Sequence, residues 1–510
     1  MSLLTRDLAS AQPNGPALID AAGALSWSDL DHRVDRAGAA LLASGLVEGD
    51  TIAVMAGNQR EMFVLSLACM QNGLLLVPVN WHLVSYELEY ILSDSGAKAL
   101  VVDERWLDVA LGASLPPRSI VIGSEAPAGF VTWDAFVDGC DDAPTTPVRG
   151  GVMFYTSGTT GQPKGVRGSL AGTGGDPALW QLVASSASMF SLPTTDACFL
   201  LAGPVYHSAQ WVFSMFSLLA GATVVLQHQF DAEELLGLIE RHHVTNTHLV
   251  PTQLSRLLRL PAEVRARYDL SSLVAVHHGA APCPASVKRA MIDWFGPIIS
   301  EYYGGTEGGF ISMISAEEWL ARPGSVGRIV PIVEVFVTDD EGKRLGPNQP
   351  GQLWFKSIMG SSFSYHNAPE KTANAHLEPG VATLGDIGHL DEDGFLFLSD
   401  RKIDMIIAGG VNIYPAEIEA VLTDHPAVDD AAVFGVPHED FGESVMAIVE
   451  APDAPPGLVE ELIALCAERL AAYKRPRTIE VVDELPRSEA GKLQKRLLRE
   501  PYWAGVGRAI

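Results

Sequence analysis

The sequence predicts an α/β protein of two unequal domains, and three observations carry that expectation. Over the first 400 residues, short apolar runs of strand type alternate with helical stretches, the pattern of helices layered on mainly parallel sheets. After about Asp400 the texture changes to a compact α+β stretch of roughly 110 residues, a plausible domain by size. The 510-residue chain is 47% apolar and 8% aromatic, enough for large cores and incompatible with a mostly disordered chain. The expected division is a large domain, residues 1–400, and a small one, residues 401–510.

The alternation opens with the run Thr51 to Met55, a helix from Glu61 to Gln71 and a second run, Leu74 to Val79. A helix near Tyr86 to Ser93 and a strand at Ala99 to Val102 continue it. It returns in Ala232 to His242 followed by Val244 to Val250, and in Ala285 to Trp294 followed by Ile298 to Tyr302. In the second part, Glu417 to Leu422 reads as a helix, and Val428 to Val436 and Ser444 to Glu450 as strands. A proline-rich break, Ala451 to Gly457, precedes a helix, Leu458 to Ala472, apolar at Val459, Leu462, Ile463, Cys466 and Leu470. The strand Thr478 to Val482 and a basic helix from Lys492 complete it.

Charge and cysteine usage narrow the class. Thirty-five basic against 62 acidic residues give a net charge of −27. Such a surface repels a phosphate backbone, which argues against nucleic acid or an anionic membrane as main partner. The five cysteines, Cys69, Cys140, Cys198, Cys283 and Cys466, form no C-x-x-C pair and are odd in number. That opposes a disulfide framework or structural zinc and fits a reducing cytoplasm. Met1 to Ser10 lacks a signal-peptide pattern, and the longest apolar stretch, Val212 to Leu226, is below the ~20 residues of a membrane span. The reading is a cytoplasmic protein, with homodimer formation left open.

The strongest local signal is Tyr155-Thr156-Ser157-Gly158-Thr159-Thr160-Gly161-Gln162-Pro163-Lys164-Gly165, directly after the apolar Val152-Met153-Phe154. Glycines let backbone N–H groups approach an anion, hydroxyls donate to phosphate oxygens, and the lysine adds charge. An ordinary surface turn has a similar composition. A Walker loop is excluded, because Pro163 and Gly165 stand where that motif needs Gly and Ser or Thr. Further motifs follow in order: Pro204-Val205-Tyr206-His207, Gly279-Ala280-Ala281-Pro282, Tyr303-Gly304-Gly305-Thr306-Glu307, Thr383-Leu384-Gly385-Asp386, Asp400-Arg401, Gly409-Gly410 through Glu419, and Pro486 through Gly491-Lys492.

Together these resemble the motifs of the adenylate-forming superfamily: acyl- and aryl-CoA synthetases, peptide-synthetase adenylation domains and firefly luciferase. The match is greatest to a synthetase for fatty or other hydrophobic acids. The resemblance implies that Thr156, Ser157, Gly158, Thr159, Thr160, Gly161 and Lys164 hold the ATP phosphates. It implies that Gly279, Ala280, Ala281, Tyr303 and Gly304 receive adenine, and that Asp386 and Arg401 bind ribose. Thr306 would touch phosphate and Glu307 would ligate Mg²⁺, a hard cation that often takes one protein carboxylate plus phosphates. Lys492 would enter the site during adenylation, and Gly409 and Gly410 would line the path of the CoA thiol arm. His207 would gate an acyl pocket formed with Trp211, Met215, His278, Gly304, Gly305, Gly308 and Gly309. Two departures stand out. Leu384 is inserted in the usual T-G-D, and Ile403, flanked by Lys402 and Asp404, stands where the family's domain hinge is Lys or Asp.

The implied activity is ATP-dependent carboxylic acid:CoA ligation through acyl-AMP, with the small domain rotating between half-reactions. Rival readings are an adenylating enzyme that loads a carrier-protein thiol, a luciferase-like monooxygenase, and a catalytically silent nucleotide sensor. The acyl-pocket residues are small or apolar, with no Arg or Lys among them. A hydrophobic monocarboxylate (fatty, aryl or steroid side-chain acid) is therefore expected, and malonate is expected to be poor, since an unpaired buried charge costs several kcal/mol.

Overall fold

The computed structural model describes residues 4–140, 147–156, 162–180, 185, 191–193, 195–280, 283, 285–339, 341–358, 360–401, 406–413, 415–452, 454–486 and 495–504. The α/β class is what the chain adopts. One sheet has six strands, all parallel, in the order Phe130–Thr132, Arg118–Ile122, Ala99–Asp103, Thr51–Met55, Leu75–Pro78, Gly151–Val152. Thr51–Met55 and Leu75–Pro78 are buried along their whole length, as parallel strands covered on both faces must be. The helices Arg60–Gln71 and Ser85–Ser95 return the chain between these strands.

A second, larger sheet starts with the same logic. Pro16–Asp20, Thr223–Leu226, Cys198–Leu201, Asn246–Leu249, Ala275–His278 and Ile299–Gly305 lie side by side and parallel. The sheet then continues antiparallel through Gly309–Ser315, Ser325–Ile329, Phe395–Arg401, Asp386–Leu390 and Gly351–Ser357. The strand–helix rhythm did not announce this antiparallel block, because short turns rather than helices join several of its strands. Ligands of open α/β sheets bind beyond the carboxyl ends of the parallel strands. Gly203, Val250, Ala280 and Thr306 all follow such ends, and all line one cavity.

The C-terminal unit has its own five-stranded sheet of Ile406–Ala408, Val411–Ile413, Asp430–His438, Gly442–Glu450 and Thr478–Val482. The helices Pro415–Thr423 and Leu458–Arg469 help form its core around Ile413, Val433, Ala447 and Leu462. Leu458, Leu462 and Cys466 make the buried stripe of the second helix, four residues apart, whereas Ile463 falls off it and is 52% exposed. That helix ends at Arg469, earlier than expected, and a 3₁₀ turn follows at Ala472–Lys474. The large sheet's last strand ends at Arg401 and the small sheet's first begins at Ile406. The expected hinge residues Lys402, Ile403 and Asp404 lie outside the described residues. No helix among the described residues is long and apolar enough to cross a membrane.

Candidate active site

The carboxyl ends of the parallel strands open into a cavity of about 1160 Å³. One part of it is built on a small antiparallel sheet in which Thr156 and Lys164 stand opposite each other. The Lys164 ammonium lies 4.8 Å from the Tyr365 ring centroid, and the Tyr365 phenol donates to Glu307 Oε1 at 3.1 Å. Burial, with Lys371 nearby, holds Lys164 below the usual lysine range, and Glu307 opposes that shift. A cation and a carboxylate are thus spaced by one aromatic ring, where anionic phosphate and its Mg²⁺ would meet both. Among the described residues no cluster of three or more His, Cys, Asp or Glu could hold a metal ion alone. A single carboxylate fits an ion whose remaining ligands are phosphate oxygens and water. Ser157, Gly158, Thr159, Thr160 and Gly161 lie outside the described residues, as do Ala281 and Lys492.

Thr306 is tied to the helix Ser208–Leu219 by a 2.8 Å hydrogen bond between its hydroxyl and that of Ser208. Tyr303 donates its phenol proton to Asp386 at 2.6 Å, and Asp386 is cross-strand partner of Arg401. Two motifs read separately in the sequence, those of Tyr303 and Asp386, are therefore one wall. Thr383 accepts from the Gly385 N–H at 2.9 Å and from the Gln352 amide at 2.6 Å, so the turn carrying the extra leucine is pinned. Leu384 itself lines the cavity. A Cβ on Gly304 would lie 1.9 Å from the Gly309 carbonyl oxygen, so only glycine lets these strands close. Ala280 carries φ of +67°, a strained conformation for a residue with a side chain, at the cavity edge.

The acyl wall departs from expectation. His207, half-buried at the N-cap of the helix Ser208–Leu219, lines the cavity with Gly304 and Gly305. Burial, with His82 nearby, pushes its imidazole down to about 4. Trp211 and Met215 are fully buried on the other side of that helix, in the core. Trp211 donates to Ser66 Oγ at 3.3 Å, and Ala209 and Val212 face the cavity instead. The helical period decides this, since positions 208, 209 and 212 share one face and 211 and 215 the next. Gly308 packs against Phe355, whose ring a Cβ would approach to 2.9 Å. His278 is wholly buried, and neither it nor Gly308 is in the cavity wall.

Several wall residues escaped the sequence reading. His248 and Tyr302 hydrogen-bond at 3.1 Å, and Gln210, Gln253 and Arg256 join them in the lining. Arg256 brings to the cavity wall a cation that the sequence reading did not mark. Tyr365 and Ser208 were likewise unmarked, since lone hydroxyl residues carry no spacing signal. At the far end, Gly409 and Gly410 of the C-terminal unit line the same cavity, with φ of +62° and +78°. The Gly409 N–H is fixed by the Phe441 carbonyl at 2.9 Å. Trp81 stacks on Trp106 at 5.2 Å and meets Tyr206 edge-on at 4.6 Å, giving the cavity an aromatic wall. Cys283 lines the cavity as well, and burial pushes its thiol up to about 12, which disfavours the thiolate.

Comparison with known proteins shows the family. The family model described as AMP-binding enzyme matches residues 5–362, and that of the AMP-binding enzyme C-terminal domain matches residues 417–492. The chain is 31% identical to the fatty acid–[acyl-carrier-protein] ligase ScoC of Streptomyces coeruleorubidus, covering 98% of this chain and 96% of that one. It is 35% identical to the 2-succinylbenzoate–CoA ligase of Geobacillus kaustophilus, covering 90% and 89%. Among solved structures, a double mutant of Bacillus subtilis o-succinylbenzoate CoA synthetase bound with a product analogue, OSB-NCoA, superimposes with a TM-score of 0.84 at 29% identity, covering 98% of each chain. The same synthetase with its acyl-adenylate intermediate gives 0.67 at 28% identity and the same coverage. With both family models matched in order and relatives aligned along nearly the whole chain, this protein belongs to the AMP-binding enzyme family.

Proposed function

We propose that the chain is an ATP-dependent carboxylic acid:CoA ligase. The observation that carries this reading is that one cavity is lined both by Lys164, Thr306, Glu307 and Asp386 and by Gly409 and Gly410. A phosphate-handling wall and a bulk-free wall facing one space suit two successive reactions on one intermediate. A carboxylate oxygen attacks the α-phosphorus of ATP, the bond to the β-phosphate bridging oxygen breaks, and acyl-AMP and pyrophosphate form. The CoA sulfur then attacks the acyl carbon, AMP leaves with its oxygen, and the thiol proton is released. The first step is needed because a free carboxylate resists thiol attack.

The chain's own groups supply position and charge for these steps. Lys164 offsets phosphate charge, with Lys492 assigned to the carboxylate and α-phosphate by its motif. Thr306, held by Ser208, donates to a phosphate oxygen. Asp386, oriented by Tyr303, accepts from the ribose hydroxyls, with Arg401 assigned to the ribose by its motif. Glu307 would hold Mg²⁺, whose charge would offset that of the departing pyrophosphate. Neutral His207 stands between the acyl and thiol ends, and Gly409 and Gly410 leave room for the pantetheine arm. The small unit, from about residue 401, turns between the two half-reactions. The acid is a hydrophobic monocarboxylate, and the cytoplasm is the compartment. A carrier-protein thiol as acceptor is the second reading, favoured by the likeness to ScoC.

The test is pyrophosphate release over a panel of fatty, aryl and steroid side-chain acids, followed by mass detection of thioester with CoA or a carrier protein. Acid-dependent release with CoA thioester as product is expected. Acyl-AMP that never passes to a thiol would sink the ligase reading.

A further inference from the structure

The C-terminal unit does not merely rest on the rest of the chain. The segment Ala471–Lys474 enters it. Ala471 is fully buried in a core cluster with Leu88, Ile91 and Val102. Asn80 donates to the Tyr473 phenol at 2.9 Å, and the His82 ring meets Tyr473 edge-on. At the end of this wedge, Lys474 is 2% exposed and ion-pairs with Glu87 at 2.9 Å and with Glu417 at 2.5 Å. Glu87 belongs to the helix Ser85–Ser95 of the large unit, and Glu417 to the first helix of the small one. Both carboxylates are buried. One ammonium thus joins two carboxylates from the two units, away from water.

This joint exists in the same arrangement that brings Gly409 and Gly410 to the cavity. That arrangement gives a TM-score of 0.84 with the double-mutant synthetase relative holding a CoA-product analogue and 0.67 with that synthetase holding acyl-adenylate. Resting on the ligase reading, we propose that Glu87 is a positioning residue for thioester formation. Its contact with Lys474 holds the glycine-bearing face of the C-terminal unit against the cavity, and it is released while acyl-AMP forms. Glu87 is absent from the cavity lining, so it acts through Lys474 and not on substrate. Glu87 is the large unit's share of this ion group, so its replacement leaves the Lys474–Glu417 pair within the small unit and removes the charged contact between the units, and the cost falls on the arrangement that makes that contact.

Glu87→Gln is the informative substitution. Glu87 Oε2 also accepts from the Val84 N–H at 3.1 Å, and a glutamine oxygen keeps that helix cap while an amide replaces the charge facing Lys474. In the full-length enzyme, acyl-AMP formation without thiol is expected within about twofold of wild type, while transfer from preformed acyl-AMP to CoA slows about tenfold or more. Lys474→Met combined with Glu87→Gln should be no slower than Lys474→Met alone, as for two residues acting through one contact. Hydrogen exchange read by mass spectrometry gives a measure independent of chemistry. Peptides spanning 470–476 and 80–90 should lose protection in Glu87→Gln. Unchanged exchange, or equal loss of both half-reactions, overturns the proposal. Altered exchange in Glu87→Gln beside a wild type that never forms thioester would sink the ligase reading while upholding the contact.

Discussion

The Tyr303 phenol donates to the Asp386 carboxylate at 2.6 Å across 83 residues of sequence, inside a buried wall. The bond fixes the carboxylate assigned to the ribose with a side chain assigned to the base. Tyr303→Phe keeps the ring and removes only this donor. A hydrogen bond to a charged group contributes about 1.5–3 kcal/mol, so kcat/KM for ATP should fall by roughly ten- to a hundredfold. Pyrophosphate release at varied ATP measures it. An unchanged value would show that Asp386 needs no such orientation.

Lys492 and Gly409 should separate the two half-reactions. Lys492→Ala should lose acyl-AMP formation by ~10²-fold or more, as for other lost charge stabilisers. It should still turn preformed acyl-AMP and CoA into thioester. Gly409→Leu should do the reverse. Its φ is +62° and a Cβ would stand 3.2 Å from the Phe441 ring, so a side chain there must displace the aromatic ring or narrow the thiol path. Equal loss of both steps in both variants would end the two-arrangement mechanism.

The helix Ser208–Leu219 offers a contrast between its two faces. Trp211→Ala should cost about 3–5 kcal/mol of stability, typical of a large buried aromatic, with acid preference unchanged in the enzyme that folds. Val212→Phe should leave stability nearly intact and shift the acid panel toward shorter chains. Arg256→Leu should abolish any turnover of dicarboxylates, since that cation lines the same cavity. Thermal unfolding and the acid screen read all three variants.

Acid should weaken the fold through His248. Burial, with His277 and His207 nearby, pushes this imidazole from its ordinary 6.5 down to about 3. The folded state therefore refuses a proton that the unfolded chain accepts. Its contribution to stability is intact above about 6.5 and is lost as pH falls, by about 1.4 kcal/mol per pH unit. His248→Gln should flatten the dependence of unfolding free energy on pH by that slope between about pH 6 and 4. The His207 imidazole, down at about 4, should leave no inflection in the thioester step between about pH 5.5 and 8.

By itself the sequence determined the α/β class, the change of texture near residue 400 and the order of the motifs. These are local properties. A glycine at a close approach, a lysine beside hydroxyls, or an apolar run between turns is set by neighbours in the chain. Asp386 and Arg401 could each be singled out in this way, but not their pairing, which an antiparallel ladder imposes. Tertiary packing alone decided which face of the helix Ser208–Leu219 meets the cavity, putting Val212 there and Trp211 in the core. Both residues are apolar, so composition could not tell a wall from a core. Arg256, His248 and Tyr365 joined the site for the same reason, since their value depends on which strand ends converge. The Glu87–Lys474–Glu417 joint is the extreme case. Lys474 and Glu87 are 387 residues apart, and only the docking of one folded unit on another removes them from water and makes their charges matter.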